Sequence, residues 1–270
     1  MDLFSAIILG VVQGIAEFLP VSSTGHLILV RDFLGATDSH ALAFDAVLHL
    51  ATALAVVVYF WNDIWQLLQT LLRMLSRMPV NAKDSVLLKA LILGTIPAVV
   101  LGLLLEDLMG SVFRNPLLVA LVLVLGSVFF MFAEYMYERQ PRTREMTVGT
   151  GLKIGLFQTL ALIPGFSRSG ASLAGGMILG LSRSEAARFA FLLAIPVMLG
   201  AGAKKALELL SADDVTLGLP IIVGAAVAFI VGLMAIHFMI SFVRKHTLWP
   251  FIWYRIILAG LVVLFFFAQS

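Results

Sequence analysis

The chain has 270 residues, 61% hydrophobic and 13% charged, with a mean hydropathy of +1.04. A soluble domain is nearer half apolar and a quarter charged, so a water-soluble globular fold is excluded. The formal net charge of +2 is too small to indicate a nucleic-acid partner, and the lack of cysteine excludes disulfides and thiolate metal sites. The apolar residues come in runs of about 20, which cross roughly 30 Å of hydrocarbon at 1.5 Å per residue. The alternating ten-residue segments of a membrane barrel are absent. The sequence therefore predicts an all-α integral membrane protein. The N-terminus does not read as a signal peptide: Asp2 and no basic residue precede the first apolar run, which leads into Gln13 and Glu17.

In chain order, a broken polar segment at about 3–31 precedes plain spans at about 41–61, 86–105 and 116–137. A second broken segment at about 149–182 precedes spans at about 186–206, 217–242 and 250–268. The two sets match each other. Gly10-x-x-Gln13, then Pro20-x-x-Ser23, recurs as Gly155-x-x-Gln158, then Pro164-x-x-Ser167. LGATDSHALAFDAVL (34–48) aligns with LGLSRSEAARFAFLL (179–193). Gly94 and Gly102 match Gly224 and Gly232, and Pro116 and Gly126 match Pro250 and Gly260. Matches kept in order indicate a duplication, with repeats at 1–140 and 141–270. If each broken segment enters and leaves on one face, each half crosses three times and the second half is upside down. The expected plan is an inverted-topology repeat of six transmembrane helices plus two re-entrant broken-helix segments, with the site where the broken helices meet near the midplane.

Loop charge gives an orientation. Arg73, Arg77, Lys83, Arg139, Arg142, Arg144, Arg244 and Lys245 fall on one face. On the other, Arg31, Arg114, Lys204 and Lys205 are diluted by Glu106, Asp107, Asp213 and Asp214. The positive-inside rule makes the first face cytoplasmic, so the first broken segment opens outward and the second to the cytoplasm.

The polar groups concentrate in EFLPVSSTGH, residues 17–26, and PGFSRSGAS, residues 164–172. Gln13 and Glu17, four apart, share one helix face. Pro20 ends that helix, and Ser22, Ser23 and Thr24 suit the N-cap of a second one. Gly25 admits close backbone approach, and His26 begins the new helix. A helix N-terminus with free N–H groups and hydroxyls is an anion site. The second segment adds Ser167, Ser169, Ser172 and the planar cation of Arg168, which suits phosphate. Together these groups fit phosphoryl transfer. Arg168 and N–H groups would stabilise phosphoryl charge, Glu17 with Gln13 would hold a hard divalent cation, and a hydroxyl or imidazole would attack. The competing reading makes the hydroxyls kink caps and pairs Arg168 with Glu17 as a buried strut. His49 reads as a helix–helix hydrogen bond rather than a catalytic group, with Asp45 placed to support the site. Gln158 reads as a structural partner between repeats. Glu134 pairs with Arg139 or snorkels, and Arg188 and Arg255 are read as interfacial anchors.

The stretches GVVQGIAEFLPVSSTGH and PGFSRSGAS, with IPAVVLG (96–102) and FLLAIPVM (191–198), resemble the undecaprenyl-diphosphate phosphatase family of bacitracin-resistance proteins over nearly the whole chain. The resemblance implies a bacterial inner-membrane enzyme that removes the terminal phosphate of a C55 polyprenyl diphosphate, recycling the carrier for peptidoglycan. It also implies a divalent cation, Mg²⁺ or Ca²⁺, and a site open to the periplasm. By position, Glu17 becomes the essential acid near the metal or nucleophile, Ser23 or His26 the nucleophile, and Arg168 the diphosphate clamp assisted by Ser167. Gln13 stands where many members have a second Glu; an amide can ligate a metal but cannot act as a base. Ser172 stands where the family usually has Thr and keeps the hydroxyl. The rival expectation is a polyprenyl-phosphate flippase or transporter, since inverted repeats with broken helices are also a transporter plan. Homodimerisation is left open.

Overall fold

The computed structural model describes residues 2–35, 41–105, 116–139, 145–210 and 218–269. Every regular element among them is helical. Of the charges used for orientation, Glu106, Asp107, Arg114, Arg142, Arg144, Asp213 and Asp214 lie outside the described residues, as does Ser39 of the repeat match.

Helix α1, Leu3–Phe18, starts where Asp2 accepts from the Ser5 N–H at 2.9 Å. It stops two residues before Pro20, whose ring disfavours a helical preceding residue. Helix α2, Ser23–Leu34, ends at Gly35, whose φ of 63° closes the last turn in the left-handed region. Helix α3, Ala41–Tyr59, runs into α4, Trp61–Leu75, with a 76° bend between them. The sequence reading left 62–85 as a loop; the structure makes most of it helix. The reason is an overlooked apolar stripe: Trp61, Trp65, Leu68, Leu72 and Leu75 are exposed at helical spacing, the pattern of a helix lying along a membrane surface.

Helices α5, Ala82–Leu104, and α6, Pro116–Arg139, complete the first part of the chain. The second part holds α7, Val148–Gln158, a 3₁₀ turn at Thr159–Leu162, and α8, Arg168–Ile178. Then follow α9, Arg183–Leu210, α10, Leu219–Val243, and α11, Trp249–Gln269. Among the described residues five helices, α5, α6, α9, α10 and α11, are long and apolar enough to cross a membrane, or six if the bent α3–α4 pair counts as one span. The protein is therefore a multi-pass membrane protein. The short helices α1 and α7 cannot span alone.

Packing is set by glycines. Helix α1 lies along α10, and α7 lies along α5. A Cβ at Gly10 would meet the Gly224 carbonyl oxygen at 2.5 Å, and one at Gly155 would run into the Gly94 carbonyl. These four glycines are the ones paired by the sequence matches, and they meet crosswise. Helices α6 and α11 pack together, as do α3 and α9. A core of Phe18, Phe60, Phe130, Phe189 and Phe191 fills the centre, with Phe18 edge-on to Phe191 at 5.8 Å.

The register of the two breaks differs from the sequence match by one. The N-cap of α2 is Ser22, φ 75°, and that of α8 is Ser167, φ 78°. The second break has one more residue between its proline and its cap, and Gly165 takes up the additional turn at φ 102°. Ser22 thus stands where Ser167 stands, and Ser23 where Arg168 stands.

Gly10→Leu should force α1 off α10. Thermal unfolding in detergent should fall by an amount equivalent to about 1–3 kcal/mol, as overpacking costs. Gly260→Ala, where the added methyl meets nothing within 4 Å, should unfold like the parent.

Candidate active site

Both breaks leave backbone groups inside the fold, and the fold satisfies them by bringing the breaks together. The Ser169 hydroxyl donates to the Leu19 carbonyl at 3.3 Å. Arg255 does more. Read from sequence as an interfacial anchor, it is fully buried. Its Nη1 donates to the Pro20 and Phe166 carbonyls at 3.3 and 3.1 Å, and its Nη2 to Gly165 and Leu123 at 3.0 and 3.2 Å. Its Nε donates to Ser127 Oγ at 3.3 Å, and the guanidinium lies over the Phe130 ring at 4.8 Å. A guanidinium has five N–H donors, and each finds an acceptor here. The first break, the second break and α6 are tied to one side chain.

A cavity of about 260 Å³ opens beside this junction. Its polar wall is Glu17, Ser22, Ser23, Thr24, His49, Ser167 and Arg168; alanines, Pro164, Val197 and Met198 form the rest. Glu17 is the hub. One oxygen takes the Arg168 ion pair. The other accepts from Ser23 Oγ at 2.8 Å and from Gln13 Nε2 at 3.1 Å, with His49 Nδ1 3.4 Å away. Arg168 also donates from Nη1 to the Ala194 carbonyl at 3.3 Å. The strut of the competing reading does form, but both partners line the cavity, so it is reachable from solvent. Helix α2 has no side-chain cap on its first-turn N–H groups, and its first residues, Ser23 and Thr24, line this end of the cavity. Helix α8 is capped by Ser167 Oγ, which accepts from the Gly170 N–H at 3.3 Å.

The sequence matches known proteins. The family described as bacitracin resistance protein BacA matches residues 6–261. The chain belongs to that family. A curated relative, undecaprenyl-diphosphatase of Trichlorobacter lovleyi, is 41% identical over 258 residues, covering 95% of this chain and 94% of that one.

Within this BacA-family chain, the remaining sequence candidates fall in different places. His26 is not in the cavity. Its Nδ1 donates to the Ser22 carbonyl at 2.7 Å, its Nε2 accepts from Tyr254 OH at 2.6 Å, and the two rings stack at 5.5 Å. It lines a separate apolar groove with Val12, Ile15, Leu19 and Phe251. Gly25 packs on α6, where an added Cβ would sit 3.3 Å from Val119. Ser169 bonds within the junction, and Ser172 is buried with its hydroxyl unpaired. Gln13 is fully buried, and its amide oxygen has no partner. Gln158 is buried with both amide ends unpaired.

Outside the cavity, two sequence pairings are corrected. Glu134 accepts from Arg183, and from the Leu248 N–H at 2.6 Å, rather than pairing with Arg139. Arg139 instead lies over Tyr135 at 4.1 Å. Arg188, half exposed, is not a simple anchor, because it pairs with Asp63 and ties α9 to α4. His49 makes the cross-helix bond expected of it, Nδ1 lying 3.0 Å from Gln13 Nε2, but it also lines the cavity. Asp45, one helical turn before it, is held by Arg31 at 2.5 Å. That Asp45–His49 spacing was the available signal for a second wall of the site. Arg255 and Tyr254 gave none.

Arg255→Lys leaves one ammonium with three donors to serve five acceptors. At about 1–3 kcal/mol per orphaned buried group, the loss should reach about 3 kcal/mol. Thermal unfolding in detergent should show it, and an unshifted transition would overturn the clamp.

Proposed function

We propose that this chain is an undecaprenyl-diphosphate phosphatase that hydrolyses a C55 polyprenyl diphosphate to the monophosphate and inorganic phosphate. The observation that carries this is the Ser23 hydroxyl donating to Glu17 at 2.8 Å, on the carboxylate that Arg168 holds. A nucleophile on a base, beside a fixed cation and an uncapped helix N-terminus, is a phosphoryl-transfer arrangement. The family and the hydrolase name of the curated relative support the same reaction, and neither speaks for the flippase.

In this mechanism Ser23 Oγ attacks the terminal phosphorus while Glu17 takes its proton. The bond from that phosphorus to the bridging oxygen breaks, and the polyprenyl monophosphate leaves with the proton that Glu17 hands to it. Water then attacks the phosphoserine; Glu17, again a carboxylate, takes the water proton and returns it to Ser23 Oγ as phosphate leaves. Arg168 turns from Glu17 toward the phosphoryl oxygens as the diphosphate enters, which frees the carboxylate at the moment a base is needed. His26, bonded to Tyr254, supports the groove side instead.

A divalent cation fits the donor set in one form. Among the described residues no three His, Asp or Glu side chains gather as a metal cage. Glu17, with the unpaired amide oxygen of Gln13 behind it, fits a Mg²⁺ that takes most of its ligands from phosphate. When bound, that cation would neutralise charge on the diphosphate.

The wider reading also belongs to this proposal. The crosswise glycine pairs and the matched serine caps support two inverted halves, 1–140 and 141–270, with two re-entrant segments. Loop charge supports a site open to the periplasm of a bacterial inner membrane. There the reaction would recycle the peptidoglycan carrier and confer bacitracin resistance.

The test is phosphate release from polyprenyl diphosphate by the purified protein in detergent. Glu17→Gln, Ser23→Ala and Arg168→Ala should each fall by about 10²–10³, and chelator should abolish release in the parent. Near-parental release by Glu17→Gln and Arg168→Ala would overturn the site, and by Ser23→Ala would overturn the nucleophile.

A further inference from the structure

His49 has no part in the steps above, yet it lines the same cavity as Ser23. Its side chain is 38% exposed beside a Glu17 side chain that is 7% exposed. The ring is held from one edge only. Nδ1 lies 3.0 Å from Gln13 Nε2 and 3.4 Å from Glu17 Oε2.

Gln13 is fully buried, and one end of its amide lies 3.1 Å from Glu17 Oε2. Were that end the oxygen, two acceptors would face each other, so it is the nitrogen, which only donates. The same nitrogen lies 3.0 Å from His49 Nδ1, so Gln13 and Glu17 together hold that edge of the ring. The Glu17 oxygen is occupied further by Ser23 Oγ at 2.8 Å. Nε2 has no partner among the described residues, and the ring lines the cavity.

We infer that His49 is a further substrate-binding residue of this site, its Nε2–H donating to a phosphate oxygen of the diphosphate while Gln13 and Glu17 hold the ring by its Nδ1 edge. The inference rests on the phosphatase reading proposed above. Its chemical sense lies in what Arg168 lacks. When Arg168 turns from Glu17 to the phosphate, its Nη1 still has the Ala194 carbonyl as an acceptor, and His49 supplies a second side-chain donor from the same cavity.

The test uses the full chain, labelled with ¹⁵N-histidine, in detergent, with His49 assigned by difference against His49→Phe. Its Nε2 should carry a hydrogen. Added inorganic pyrophosphate should shift the His49 Nε2 resonance. In phosphate release, His49→Phe should raise KM roughly 10- to 100-fold, the range for a hydrogen bond to a charged group, with a smaller change in kcat. His49→Gln, which places an N–H near the Nε2 position, should recover much of that loss. An Nδ1–H tautomer, or an unchanged KM in His49→Phe, would overturn the inference while leaving the phosphatase standing. A pyrophosphate shift in a protein that releases no phosphate would sustain the binding role and overturn the enzyme.

Discussion

A backbone broken inside hydrocarbon must have its polar groups satisfied by protein, since lipid offers no partner. This chain breaks twice, and Arg255 answers both breaks with one side chain. Burying a guanidinium is expensive unless every donor is used. Five acceptors and the face of Phe130 meet that condition without a carboxylate. The junction is therefore held by a cation whose partners are backbone carbonyls. Those carbonyls belong to the turns that launch α2 and α8. Where Arg255 sits, both helix N-termini must sit.

That constraint explains why one cavity can draw on two distant stretches of sequence. Glu17 comes from the end of α1, Ser23 from the start of α2, and Arg168 from the start of α8. The carboxylate is surrounded by donors: Gln13, Ser23 and Arg168 all point at it. This resting arrangement is closed on itself. An incoming diphosphate brings better acceptors for Arg168 than a carboxylate already shared three ways. In the proposed mechanism, exchange of that partner, rather than a large motion, turns a strut into a base and a clamp.

Much of this could be read from the sequence, and the failures have definite causes. The apolar runs gave the spans because their length is set by the bilayer. The breaks were visible as Pro20 and Pro164, and the carboxylate, hydroxyls and arginine lay within a few residues of them. Arg255 was misread because a lone arginine inside a span carries no periodic signal. Its acceptors are carbonyls, which every residue has. His49 was half read: its bond to Gln13 was anticipated in kind, but exposure to a cavity depends on α3 packing beside α1, which spacing does not encode. Helix α4 was missed because its stripe is interrupted by charged and amide residues and is only half apolar, as a surface helix must be.

The one-residue shift between the breaks bears on the chemistry of the proposed repeat. With Ser22 equivalent to Ser167, the first residue inside each short helix is Ser23 in one case and Arg168 in the other. These are corresponding places, close to the first N–H groups of a helix, where negative charge is favoured. One holds the hydroxyl proposed to attack phosphorus, and the other holds the cation proposed to receive its charge. A symmetric pair would serve less well. Two hydroxyls would leave the phosphoryl charge unmatched, and two arginines would leave nothing to attack and too few carboxylates to balance them. In the proposed inverted repeat, equivalent scaffolding with unlike side chains at one position makes a site with two different ends, suited to a substrate carrying a lipid on one phosphate and none on the other.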